Sequence, residues 1–155
     1  MKGAVIVNWT KDRSITLSFI FIAVFALILL TADIFCHPIT KWFIHLRGMR
    51  WQQGVGIMGT VYVCSIFAWI VLVGMYKLLK NLRRAEVFVE ANVRIMRSVS
   101  WCCVGAAVTC LVSMIWYVPF VFVAIAAGFM ALIVRIVKNV FQQAIVMKDE
   151  LDLTI

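Results

Sequence analysis

The run Lys77-Leu78-Leu79-Lys80-Asn81-Leu82-Arg83-Arg84-Ala85-Glu86-Val87-Phe88-Val89-Glu90-Ala91-Asn92-Val93-Arg94-Ile95-Met96-Arg97 decides how this chain is organised. Six of the fifteen Lys and Arg residues fall within these twenty-one positions, and a long apolar run lies on each side. Basic residues collect in cytoplasmic loops next to membrane spans. The stretch therefore predicts a cytoplasmic hinge between transmembrane helices.

Composition supports that reading. Of the 155 residues, 65% are hydrophobic and only 14% charged. Soluble domains sit near about 45–50% apolar and 25% charged, so a soluble fold is excluded as the economical answer. The net charge of +8 does not indicate nucleic-acid binding, because the basic residues flank apolar runs instead of clustering on a polar domain. Attraction to anionic lipid headgroups, about 1 kcal/mol per nearby Lys or Arg, fits the placement better.

Outward from the hinge, apolar runs at 14–32, 54–76, 98–116 and 119–135 predict four spans, each close to the roughly 20 residues a bilayer needs. The first is too long for the core of a secretory signal and lacks a small-x-small cleavage site, so it is expected to stay. Between the first two, residues 33–53 place Ile39, Trp42, Phe43, Leu46 and Met49 at helical spacing with Lys41, His45, Arg47 and Arg50 between them. That amphipathic segment, opened by Pro38, is expected to lie in the outer interface. Trp116, Tyr117 and Pro119 predict a tight uncharged turn at an aromatic belt. Residues 136–155 form a cytosolic tail that starts as an amphipathic helix and ends in acidic residues. The fold class expected is all-α: a four-helix transmembrane bundle with a short interfacial helix and cytosolic helix extensions.

Twelve of the fifteen basic residues fall on the side of the termini and hinge, and only Lys41, Arg47 and Arg50 on the other. Both termini are therefore expected in the cytoplasm.

Small residues recur every four positions along the second span (Gly56, Thr60, Cys64, Ala68). In lipid, close packing of backbones replaces the hydrophobic effect between helices, so this row predicts a helix-packing seam. The third span carries two rows, Ser98, Cys102, Ala106, Cys110 and Gly105, Thr109, Ser113, and is expected to sit centrally between two neighbours. Gly128 belongs to a shorter row on the fourth span. The packing residues expected are Gly56, Thr60, Cys64, Ala68, Gly105, Ala106 and Gly128.

Sites for chemistry are lacking. Apart from Arg135 at the very end of the fourth, none of the four runs contains Asp, Glu, Lys, Arg or His, which argues against proton relays and ion-coupled transport. Cys36, His37 and His45 match no compact ligand spacing, and the five cysteines read as small packing residues. Thr60 and Thr109 are expected to bond to their own helix backbones. No nucleophile–base pair or phosphate-binding loop is present. The protein is expected not to be an enzyme and to need no cofactor or metal.

Phe88-Val89-Glu90-Ala91-Asn92-Val93 with Met96-Arg97 before a span, and the terminus Asp149-Glu150-Leu151-Asp152-Leu153-Thr154-Ile155, together resemble the YoaS-like bacterial membrane proteins, a four-span family of unknown function. The resemblance covers 86–155. One position departs from it: Val89 stands where a Ser or Thr cap is usual. Members are commonly encoded beside a small helix-turn-helix regulator, so the resemblance implies such a regulator as partner. It also implies residence in the bacterial plasma membrane.

On this reading the protein is a regulatory scaffold. Arg83, Arg84, Glu90, Asn92, Arg94, Arg97, Asp149, Glu150 and Asp152 would form the partner-binding face, with no direct contact to nucleic acid. The small rows also allow a homo-oligomer. The competing readings are a binder of lipid or an apolar solute, and a structural subunit of a larger membrane complex.

Overall fold

A computed structural model describes the backbone of residues 2–84 and 89–152, and the side-chain surroundings of residues 14–84, 89–148 and Glu150. Four helices follow one another: α1 (Lys2–Arg47), α2 (Trp51–Arg83), α3 (Glu90–Ser113) and α4 (Phe120–Asp152). Each is long and apolar enough to cross a membrane. With large side chains such as Ile115 (79% exposed), Phe122 (72%) and Leu27 (69%) turned outward, the molecule presents a greasy shell that only lipid can cover. It is an integral membrane protein with an all-α four-helix fold.

Each helix packs on the next in sequence. Among the described residues α1 makes close backbone contact with α2 alone, whereas α3 lies between α2 and α4. The expected central place of the third helix matches its nine buried residues, among them Asn92, Val99, Cys110 and Ser113.

The first connection is tight. Gly48 takes φ +60°, a conformation that glycine reaches without Cβ strain, and the Met49 N–H returns to the Ile44 carbonyl (3.2 Å). Such a bond satisfies a carbonyl left open at the helix end. Gln53 then accepts the Arg50 N–H (3.2 Å), one arm of a capping interaction.

Here the structure departs from the sequence reading. Residues 33–47 form no separate interfacial helix; they continue α1 without a break. Pro38 sits inside that helix, where it removes one backbone donor. Just beyond it, the Thr40 hydroxyl donates to the Cys36 carbonyl (2.7 Å). The carbonyl that Pro38 leaves open is that of Ile34, one turn back, and membrane helices tolerate a gap of this kind.

The third helix starts at Val89, which is extended (φ −128°, ψ 140°) and supplies no side-chain cap. That agrees with the missing Ser or Thr. The return from α3 to α4 winds through a chain of short turns, including Tyr117 N–H to Ser113 (3.1 Å) and Phe120 N–H to Tyr117 (3.1 Å). Phe43, Tyr117 and Phe120 stack edge to face across that end, with centroids 5.7 and 5.8 Å apart, and the Arg47 guanidinium lies 5.5 Å from the Phe43 ring.

Candidate functional site

The most consequential side chain is one the sequence reading set at a membrane edge. Asp33 points from α1 into α2, where its Oδ2 accepts from Ser65 Oγ (2.8 Å) and Trp69 Nε1 (3.2 Å). Ser65 stands at the centre of the apolar α2 run 54–76, eleven residues from either end, or about 16 Å of helix each way. The carboxyl group therefore lies at mid-depth of the helix array. Its Oδ1 is buried and, among the described residues, is the one such side-chain atom without a hydrogen-bond partner.

The expectation that the spans hold no acidic group is thus overturned. The uncharged run ends at Ala32, but α1 continues through Ile34, Phe35 and Cys36 to Arg47. A carboxylate this deep costs free energy and marks a functional site by default. Chemically the cluster is an acceptor site: two donors hold one oxygen and the other faces the protein interior.

A second polar path links α2 to α3. Thr60 Oγ1 lies 2.6 Å from Ser113 Oγ and 2.8 Å from the Gly56 carbonyl, while Ser113 donates to the Thr109 carbonyl (2.7 Å). Because Ser113 spends its proton on Thr109, it must accept from Thr60, whose single proton the Gly56 carbonyl also attracts. Thr109 bonds to Gly105 of its own helix (2.8 Å). The expected backbone bonds of Thr60 and Thr109 are therefore present, with Thr60 also crossing to a neighbour.

The residues named for packing sort by surroundings. A Cβ on Gly56 would come within 2.7 Å of the Trp116 ring, and one on Gly105 within 2.9 Å of the Phe67 ring. The Cys64 and Cys110 sulfurs are 3.6 Å apart, both unoxidised. Ala68 and Ala106 are half-buried. Gly128 differs, since a Cβ there would meet nothing within 4 Å. The α4 side of the third helix instead uses Ser100, whose hydroxyl donates to the Ala131 carbonyl (3.2 Å), against the buried Ala124 and Ala131.

At the cytosolic end proposed from the sequence, Arg83, Arg84, Glu90, Arg94, Arg97 and Glu150 are exposed. Glu90 and Arg94 approach to 4.0 Å, a loose surface pair. Asn92 does not belong to that face. It is 2% exposed and accepts from Asn81 Nδ2 (2.7 Å), so it ties α2 to α3 from within and leaves a partner nothing to touch. The Asp149 and Asp152 side chains, residues 153–155 and the hinge residues 85–88 lie outside the described residues. Glu90, Arg94 and Arg97 join Gln142, Ile145 and Val146 around a cavity of about 350 Å³ between α3 and the α4 extension.

Of the ligand-type residues in the outer segment, Cys36 is buried beside Thr40 (4.0 Å) while His37 and His45 are exposed. Among the described residues no three His, Cys, Asp or Glu side chains come together.

These features belong to a four-helix membrane protein, and comparison places the chain within one family. Residues 40–155 match the family described as proteins of unknown function, DUF2975, and the chain belongs to it. The match reaches further toward the N-terminus than the motifs at 86–155, taking in all of α2. No curated protein and no solved structure matches the chain.

Proposed function

We propose that the protein is a scaffold of the bacterial cytoplasmic membrane, with hinge and both termini inside, that holds a small soluble protein against the membrane. The observation supporting this most directly is the α4 extension. Beyond Arg135 the helix continues to Asp152, about 25 Å at 1.5 Å per residue. There it exposes Val140, Val146 and Met147 (57, 53 and 58% exposed) beside the charged groove of Glu90, Arg94 and Arg97. An apolar ridge rimmed by charge, on the side where twelve of fifteen basic residues fall, suits a protein partner.

The resemblance to YoaS-like proteins supplies the kind of partner, a helix-turn-helix regulator whose basic DNA surface the acidic tail would meet. Holding it there would keep it from DNA. The protein is not an enzyme on this reading.

Two measurements test the proposal. A reporter active only in the cytoplasm, fused after Ile155, is expected to be active; activity only on the far side would remove the working face. The double variant Val146→Glu, Met147→Glu is expected to release a fluorescent fusion of the adjacent regulator from the membrane, with the scaffold still inserted. Unchanged localisation would refute the ridge as the docking surface.

A second reading, a binder of an apolar solute, has its own support. A cavity of about 360 Å³ lies among Cys36, Thr40, Phe43, Val61, Tyr117 and Phe120 at the opposite end.

A further inference from the structure

We infer that the groove between α2 and α3 is a binding site for an anionic phospholipid, which it takes from the leaflet at the hinge end. The groove has a volume of about 500 Å³, within the range of small-molecule sites. Its wall is apolar along Trp69, Val73 and Val99, and its mouth carries Lys77, Arg94 and Ser98.

Three features favour a lipid over a merely solvated helix face. Lys77 and Arg94 are seventeen residues apart and come from different helices, yet both line one mouth. A solvated row would place its charges along one helix and away from the apolar wall. The vertical order also matches the molecule. Trp69 lies eight residues below Lys77, about 12 Å, so an anion held at Lys77 sets its chain against Trp69, Val73 and Val99 at hydrocarbon depth. Finally, basic pockets between transmembrane helices recognise anionic headgroups by charge and chain by contact, and here a hydroxyl from Ser98 stands beside the cations.

Glu90 is the local competitor. It reaches Arg94 at 4.0 Å with both side chains mostly exposed (83% and 78%). Surface pairs of this kind are weak, so a phosphate between Lys77 and Arg94 displaces the carboxylate. This site shares Arg94 with the charged groove beside α4, whereas Trp69, Val73, Lys77 and Ser98 line it alone.

The test is native mass spectrometry of the full chain released from vesicles of phosphatidylcholine containing a minor share of phosphatidylglycerol. The wild type is expected to retain phosphatidylglycerol selectively. Lys77→Gln with Arg94→Gln is expected to lower that retention roughly tenfold or more, each charge contributing a factor of about five. Lys80→Gln with Arg84→Gln, which removes the same charge outside the groove, is expected to change it less than about twofold, the scale of a screened surface charge. Val73→Trp fills the wall without touching charge and should also expel the lipid, whereas Glu90→Gln should raise retention. Equal binding of the two lipids, equal loss in both charge pairs, or displacement by soluble glycerol phosphate alone would each overturn the inference. Circular dichroism of every variant separates loss of site from loss of fold.

Discussion

The two faces of α2 show two ways of joining helices in lipid. Toward α3 it presents Gly56, Thr60 and Cys64, and glycines on both sides of the seam take aromatic rings: Gly56 that of Trp116 in the turn after α3, and Gly105 of α3 that of Phe67. Toward α1 it presents Ser65 and Trp69, which reach out to the single carboxylate Asp33. Without a hydrophobic force between helices, association depends on packing and hydrogen bonds. The α3 seam is made by shape and repeated along its length. The α1 seam is pinned by polar contact at mid-depth, on a helix whose other faces are open, as Phe25 (60% exposed) and Leu27 show.

The sharpest way to break this contrast is to add volume to the shape-made seam. Gly105→Leu drives a side chain into the Phe67 ring, and overpacking of a close interface costs about 1–3 kcal/mol. With an aromatic ring opposite, the upper end is expected in unfolding by denaturing detergent. Gly128→Leu is the matched control and should cost almost nothing, since its site is open. Oxidation in intact membranes gives a second readout: Cys64 and Cys110 should bridge within one chain in the wild type and poorly in Gly105→Leu. Equal effects at the two glycines would mean that the seam tolerates spacing and is not made by shape.

The pinned seam should respond to chemistry instead. Asp33→Ala leaves the Ser65 hydroxyl and the Trp69 N–H without their acceptor. A buried unpaired donor costs about 1–3 kcal/mol, but Ser65 can turn back to its own backbone, so about 1–2 kcal/mol is expected in total. Asp33→Asn keeps an acceptor oxygen and should cost less than half as much. Neither should alter the Cys64–Cys110 bridge, because that bridge reports the other face. If Asn proves as costly as Ala, the charge itself and not its hydrogen bonds holds α1.

How much of this was legible follows the same division. Small residues at four-residue spacing announced the α2–α3 seam, because repetition along a helix is a one-dimensional signal. The uncapped start at Val89 and the aromatic turn at Trp116 and Tyr117 were equally local. Asp33 was not legible, because a single carboxylate next to an uncharged run looks like the run's end. The signal that corrects this is present: Ile34 to Thr40 holds no Asp, Glu, Lys or Arg, so the apolar run resumes beyond Asp33. Asn92 is hidden for a related reason. Its neighbours in the hinge are charged, and only the fold reveals that it turns inward to Asn81. Ser100 belongs to neither small row, so spacing does not mark it, yet it is the hydroxyl that reaches α4.

The smallest effect is expected where both kinds of contact meet, at Thr60 and Ser113. Their 2.6 Å approach invites a large energy, but polar pairs between membrane helices average only about 0.6 kcal/mol of coupling. Here there is a specific reason to expect that low value. Thr60 has the Gly56 carbonyl 2.8 Å away as a ready alternative, and Ser113 keeps its bond to Thr109 when Thr60 is lost. Neither partner is stranded by removing the other. A double-mutant cycle of Thr60→Val and Ser113→Ala, read by detergent unfolding, should therefore give a coupling near 0.6 kcal/mol. A coupling above about 1.5 kcal/mol, near the upper end found for such pairs, would make this seam polar-pinned like the first. The distinction between the two faces of α2 would then rest on depth and charge, no longer on shape against hydrogen bonding.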